Sequence, residues 1–287
     1  MSMNLKCWVV VLLFAPVGHS FAATPQSEGS LLASIRKAGE IKVAMGSAPP
    51  YSFVSPTGEA EGYAIDVVKL ALEGMGLSSI KVRGVLIAWD AMIPALQAHQ
   101  VDLVVPGLTI TESRCKAVLY SVPTSAYQDA LYLLPGNPKH LTGYSAVVRS
   151  PRIKLAVITG ASQGAYAVKV GVKPEQLVLV TDIQAGAATV TGGRADAFAV
   201  SQSAIPAPEQ KGLEVVIDQQ SPINGYGVTF RKEDVRFRDA FNKQLNLLIG
   251  SGAIEKLYDK YKIPNGGVVA GLVAKFTKAG DMVPGCE

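Results

Sequence analysis

Short apolar runs alternate with amphipathic stretches along almost the whole chain. The pattern predicts a helix over residues 30–38 and a strand over 40–45, "EIKVAM". A helix over 66–74, a strand over 81–86, a helix over 91–98 and a strand over 101–105 follow, the last bounded by Pro106 and Gly107 as a buried strand often is. "ALYLLPGN", 130–137, reads as a strand ended by Pro-Gly, after which a second series begins. It comprises strands over 154–158, 176–180 and 197–200 with helices over 164–171 and 183–191 between them. "NGYGVTF", 224–230, reads as one further strand, and helices are expected over 235–250 and 253–262. Strand and helix in alternation imply an α/β fold with largely parallel sheets. The pattern suits one doubly wound domain as well as two lobes, and no internal repeat is present.

The chain ends alter this picture at one point. Lys6, an apolar run from Cys7 to Val17, and small residues at Ser20 and Ala22 have the layout of a secretory leader over residues 1–22. Cys7 precedes the apolar run instead of ending it, so lipidation is not expected. The protein is then exported, to the periplasm, and 48% hydrophobic residues suffice for a sizeable core. The net charge of +4, one of it from Lys6, comes without any Lys/Arg block, which argues against a nucleic-acid partner. Two cysteines remain, Cys115 and Cys286. An even number in an oxidising compartment favours a disulfide that ties the C-terminus to the segment near 115; two free thiols are the alternative.

The loop after the strand at 101–105 holds the most informative chemistry. In "GLTITESR" it offers the Thr109 hydroxyl, free backbone N–H groups and the planar fork of Arg114, a set suited to clamping a carboxylate. With "WDAMIPALQAHQVDLVVPGLTITESR" and, upstream, "APPYSFVSPTGEAEGYAIDVVKLALEGMG", the chain from about 39 to 263 resembles the family 3 extracellular solute-binding proteins of polar amino-acid ABC importers. The Arg114-Cys115 pair, "PGNPKHL" and Cys286 look most like the ectoine and hydroxyectoine binders within that family.

The resemblance implies a two-lobed periplasmic-binding-protein fold of type II, with the ligand cleft between the lobes. Residues 30–132 and 227–287 would form one lobe and 133–226 the other, with hinge strands near 131–134 and 226–230. It implies no cofactor, a small carboxylate ligand, a membrane permease as partner and a monomeric state. Carried over residue by residue, Arg114 would hold the ligand carboxylate, helped by Thr109 and by the backbone of Gly107. Trp89, Tyr51 and Tyr63 would form apolar walls on which a cation can rest. Ala161 and Ser162 would complete the carboxylate site from the second lobe, at a helix start where an anion is favoured; Ser162 reads equally as a helix cap. Asp66 and Asp196 read as structural acids.

One departure bears on specificity. Amino-acid binders of the family usually carry Asp where this chain has Ser201, and a buried ammonium without a carboxylate is costly by several kcal/mol. A carboxylate bearing a delocalised or alkylated nitrogen, such as ectoine, suits a neutral Ser201 better. The first loop, "GSAPPY", lacks the acid expected to meet an ectoine amidinium, so hydroxyectoine, an opine, a betaine or a proline-like acid stays open. A cyclohexadienyl-dehydratase-like enzyme is the rival from another class. It would need a general acid or base, and neither His99 nor His140 has a catalytic or metal-binding partner at a suitable spacing. A sensor domain that hands its ligand to another protein is the third class.

Overall fold

The computed structural model describes residues 29–106 and 108–286; the leader read at 1–22 lies outside them. Two five-stranded sheets organise the chain. In the first, Glu40–Met45 is flanked in parallel by Lys81–Leu86 and Leu103–Val104. Thr229–Phe230 then joins antiparallel to Leu103–Val104 and to Leu119–Tyr120 at the edge. In the second, Leu155–Ile158 lies parallel between Leu177–Val180 and Ala197–Ser201. Asp129–Leu133 pairs antiparallel with both Ala197–Ser201 and Glu214–Ile217. Asp129–Leu133 and Leu155–Ile158 are buried from end to end, as in a sheet covered on both faces.

Each sheet has its own core. Under the first, Met45, Tyr63, Ile65, Phe230, Phe241 and Tyr258 interlock. Around the second, Tyr132, Phe198 and Val190 fill one face, and Leu131, Tyr144 and Leu155 the other. The helix Ile183–Thr191 rests directly on Phe198, because a Cβ on Gly186 would fall 2.5 Å from that ring. Helix ends follow local chemistry. Asp182 caps Ile183–Thr191 by accepting from the Ala185 N–H at 2.8 Å. Gly39, left-handed at φ 68°, ends Ser30–Ala38.

The chain passes between the sheets twice, and the passages pair with each other. Ser125–Tyr127 runs antiparallel to Asn224–Tyr226, with Ala126 opposite Gly225. This shifts two expectations. Leu131 to Leu133, expected near a hinge, lie inside the second sheet, since their apolar side chains find cores on both faces. The single strand expected at 224–230 is broken into Asn224–Tyr226 and Thr229–Phe230, which belong to different sheets. Between them Val228 and Ser121 exchange hydrogen bonds of 2.8 and 2.9 Å, turning the chain from one partner to the other. The helix expected at 66–74 begins three residues earlier, as Tyr63–Gly74. Its first N–H groups donate to the carbonyls of Pro50 and Tyr51.

Cys115 and Cys286 form a disulfide that closes a span of 171 residues. The tail it holds carries Met282 against Gly225, where a side chain would collide with the Met282 sulfur. Asp66, in the first turn of its helix, pairs with Lys260 at 2.6 Å and accepts from the Tyr261 hydroxyl at 2.7 Å, a structural use. Replacing Cys286 by Ala is expected to lower stability by about 2–4 kcal/mol, because the unfolded chain regains its loop freedom. Denaturant unfolding with and without reductant checks this, and the two curves should coincide for the variant.

Candidate functional site

The loops that leave the C-terminal ends of the parallel strands in both sheets face one another across a cleft with about 740 Å³ of empty space. Such strand ends are where α/β sheets bind ligands. Among the described residues lining the cleft, Arg114 alone carries a charge. The remainder are aromatic, aliphatic, hydroxyl and amide side chains.

Arg114 sits in a one-turn helix, Glu112–Cys115, whose cap Thr111 accepts from the Arg114 backbone N–H at 3.4 Å. Its Nη1 donates to the Thr109 carbonyl at 2.9 Å, and its Nη2 reaches across the cleft to the Gly160 carbonyl at 2.8 Å. A guanidinium has five N–H donors, so three remain for a ligand. The Tyr120 hydroxyl also donates to the Thr109 carbonyl, at 3.2 Å, which fixes the loop from behind. Burial pushes this phenol up to about 12 against the pull of the Arg114 charge, so it stays neutral.

The Thr109 and Ser162 hydroxyls meet across the cleft at 2.9 Å. Ser162 is the first residue of the helix Ser162–Lys169, and the cap position, Ala161, makes no side-chain capping bond. The Ser162 hydroxyl is thus turned to the cleft and away from the helix backbone.

The aromatic walls are set by close packing. Trp89 lies over Gly46, where a Cβ would come within 2.9 Å of the indole. Tyr51 is held by Gly62, whose φ of 118° and contact with the Tyr51 carbonyl leave no space for a side chain. The Tyr51 hydroxyl is 3.3 Å from the Ser203 carbonyl and 3.4 Å from the Tyr127 hydroxyl. Tyr51 meets Tyr127 edge to face with centroids 6.4 Å apart, and Tyr127 meets Tyr226 at a tilt of 53° with centroids 6.3 Å apart.

The structure brings Arg114, Thr109, Trp89, Tyr51, Ala161, Ser162 and Ser201 together at the cleft. Gly107 lies outside the described residues. Tyr63, expected as a third wall, is behind the cleft and 1% exposed. Its ring stacks on Tyr258 at 4.5 Å and its hydroxyl donates to the Thr124 carbonyl, because the helix that begins at Tyr63 turns it into the core. The polar and aromatic cleft residues that escaped the sequence reading are Ser125, Tyr127, Gln163, Ser203 and Tyr226. Gln163 adjoins Ser162 in "ASQG" and could have been found there; Tyr127 and Tyr226 are brought in only by the paired crossing strands. The Tyr226 hydroxyl is fully buried without a hydrogen-bond partner. Burial, aided by the charge of Asp129, pushes it up to about 12. No group of acids, histidines or cysteines among the described residues could hold a metal ion. No described helix is long and apolar enough to cross a membrane.

A cleft between two lobes, clamped by one arginine and lined by rings and hydroxyls, defines a binding protein for a small solute. Residues 41–264 match the bacterial extracellular solute-binding proteins, family 3, and the chain belongs to that family. A probable amino-acid ABC transporter periplasmic-binding protein of Sinorhizobium fredii is 30% identical over 223 residues, 75% of this chain and 74% of the relative. The lysine/arginine/ornithine-binding periplasmic protein of Escherichia coli is 28% identical over 224 residues, 74% of this chain and 83% of the relative. Among solved structures, EhuB in complex with hydroxyectoine has a TM-score of 0.79 at 28% identity, covering 88% of this chain and 96% of that one. The ancestral amino acid-binding protein AncCDT-1, a precursor of cyclohexadienyl dehydratase, has a TM-score of 0.72 at 27% identity, covering 81% and 99%. The protein is therefore a periplasmic solute-binding component of an amino-acid-type ABC importer, with the two-lobed type II fold.

Gly160 marks where the lobes touch. Its φ is 79°, and a Cβ there would lie 2.6 Å from the Asp90 Cα of the opposite lobe. Gly160→Ala should wedge the cleft open and weaken ligand binding at least about tenfold (about 1.4 kcal/mol), and the left-handed φ should cost the ligand-free protein about 1–2 kcal/mol as well. Small-angle scattering of the variant with ligand should match that without it.

Proposed function

We propose that the protein captures a small zwitterion with a carboxylate and a delocalised or alkylated cation, of the ectoine or hydroxyectoine kind, and delivers it to a membrane permease. The observation that carries this reading is the charge pattern of the cleft. Arg114 supplies one positive group for a carboxylate, and the position where an ammonium partner is expected holds a neutral Ser201 among aromatic rings. Rings accept a diffuse cation at about 0.5–2 kcal/mol per contact. The likeness to EhuB bound to hydroxyectoine supports the same ligand class.

Capture proceeds by hinge closure. The carboxylate meets Arg114 and Thr109 on the first lobe, the body of the ligand lies against Trp89 and Tyr51, and Ala161, Ser162 and Ser201 arrive with the second lobe. The pivot is the strand pair Ser125–Tyr127 and Asn224–Tyr226, with the second lobe between the two passages. The carrier works as an exported, non-lipidated monomer once its leader is removed.

A polar amino acid is the second reading, favoured by relatives whose names carry lysine, arginine, ornithine and histidine. Catalysis is not part of the proposal. Among the described residues the cleft lining contains no Asp, Glu, Lys or His to serve as general acid or base, and a dehydratase needs one.

The test follows from Trp89, the single tryptophan left after the leader with Trp8 is removed. Ligand-stripped protein, titrated with ectoine, hydroxyectoine, glycine betaine, arginine, glutamine and histidine, should show a saturable fluorescence change with a compatible solute and none with the amino acids. Saturation by an amino acid alone would overturn the ligand class. Arg114→Ala should weaken the ligand about 100-fold (about 2.7 kcal/mol) without loss of fold by circular dichroism; unchanged binding would remove the clamp.

A further inference from the structure

Asp129 begins the strand Asp129–Leu133 and is 1% exposed, yet no Lys, Arg or His among the described residues forms an ion pair with it. Its carboxylate is held by neutral donors. Oδ1 accepts from Gln163 Nε2 at 2.8 Å and from Asn224 Nδ2 at 3.2 Å, and Oδ2 accepts from the Tyr144 hydroxyl at 3.0 Å. Three donors favour the ionised form, while burial, with the nearby Asp218 charge, pushes the group upward. The result is a buried negative charge without a cation, a state that is costly by itself and is relieved by a positive ligand group.

The charge lies next to the cleft without lining it. Asp129 stands opposite Ser201 in the strand register. Gln163 does line the cleft, and its amide nitrogen is committed to Asp129. Its Oε1 is the opposite end of the amide and accepts a long bond, 3.5 Å, from the Ser162 hydroxyl that faces the cleft. The unpartnered Tyr226 hydroxyl is beside it, flanked by Thr109, Gln163 and Ser201.

We propose that Asp129 is the positioning residue for the nitrogen end of the ligand: it locks Gln163 with its carbonyl toward the cleft and provides, one hydrogen bond removed, the negative charge that Ser201 lacks. The nitrogen end then meets two neutral acceptors, Gln163 Oε1 and the Tyr226 oxygen, within a negative potential. A compact ammonium is strongly hydrated and needs direct charged acceptors to leave water, whereas a delocalised cation is weakly hydrated and is stabilised by a charge at a distance. The arrangement therefore selects amidinium or alkylated nitrogen over a primary ammonium. This rests on the reading of the cleft as a site for a cationic carboxylate.

The test is calorimetry on the mature protein with hydroxyectoine, glycine betaine, L-glutamine and pyroglutamate, the last a carboxylate with an uncharged ring nitrogen. Wild type should prefer a delocalised or quaternary cation. Asp129→Asn should weaken that ligand at least about tenfold while pyroglutamate binding is unchanged or tighter. The double variant D129N/Q163E keeps a hydrogen bond between the two positions and moves the charge to the cleft. It should shift preference toward L-glutamine at least about tenfold, and it decides the matter if the single variant does not fold. Equal loss for the cation and for pyroglutamate in folded D129N, or binding of the cation within twofold of wild type, would overturn the role of Asp129 and leave the ligand class standing. A wild-type protein that binds only L-glutamine would overturn both, and one that binds none of the four would remove the reading of the cleft itself.

Discussion

The placement of a single guanidinium governs this cleft. Arg114 is tied to its own loop through the Thr109 carbonyl and to the opposite lobe through Gly160, so the one charged group lining the described cleft also joins its two halves. Bridging two backbone carbonyls from different lobes requires the loop at 108–114 to be fixed to within fractions of an ångström, since hydrogen bonds weaken quickly with distance and angle. The Tyr120 hydroxyl, the Thr111 cap and the disulfide at the next residue, Cys115, all serve that fixation. The disulfide joins this loop to the C-terminal tail, and the tail places Met282 on Gly225, the neighbour of Tyr226. One covalent link thus supports both the arginine loop and a crossing strand.

Charge is distributed with a consistent logic. The positive group is at the cleft surface, where a carboxylate can meet it directly. The negative group, Asp129, is behind the Gln163 amide and does not line the cleft. Between them, neutral phenols and hydroxyls line the walls; burial keeps Tyr120 and Tyr226 protonated well beyond physiological pH. Water displaced by a ligand leaves a low-dielectric space in which both charges count for more than they would at a surface.

Most of the alternation of strands and helices was legible, because the apolar runs of buried parallel strands and the 3.6-residue period of the helices are local properties; the edge strands Leu119–Tyr120 and Glu214–Ile217 and the helices Tyr144–Arg149 and Gly266–Val273 were not read. Arg114 and Thr109 were legible for a similar reason: an arginine placed five residues after a threonine beyond a buried strand is a compact pattern. Tyr63 misled, since an aromatic in "EGYAID" looks the same whether its ring faces the cleft or the core. The helix that starts at Tyr63, and the ring of Tyr258 from a distant segment, determine which. Leu131 to Leu133 and Asn224 to Phe230 both read simply as apolar strand; which sheet each joins depends on partners far away in the chain.

Gln163, Asp129 and Tyr226 show the same division. Each is an unremarkable residue in its own segment, and their relation exists only after strand Ala197–Ser201 has paired with Asp129–Leu133 and the two crossings have paired with each other. By itself the sequence determined most of the elements, the fold class they imply and the arginine that comes to line the cleft, because periodicity and a short motif act over a few residues. Tertiary structure alone decided which side chains share the cleft, which way the Gln163 amide faces and where the buried negative charge lies, because those depend on long-range strand pairing and on burial that no local pattern records.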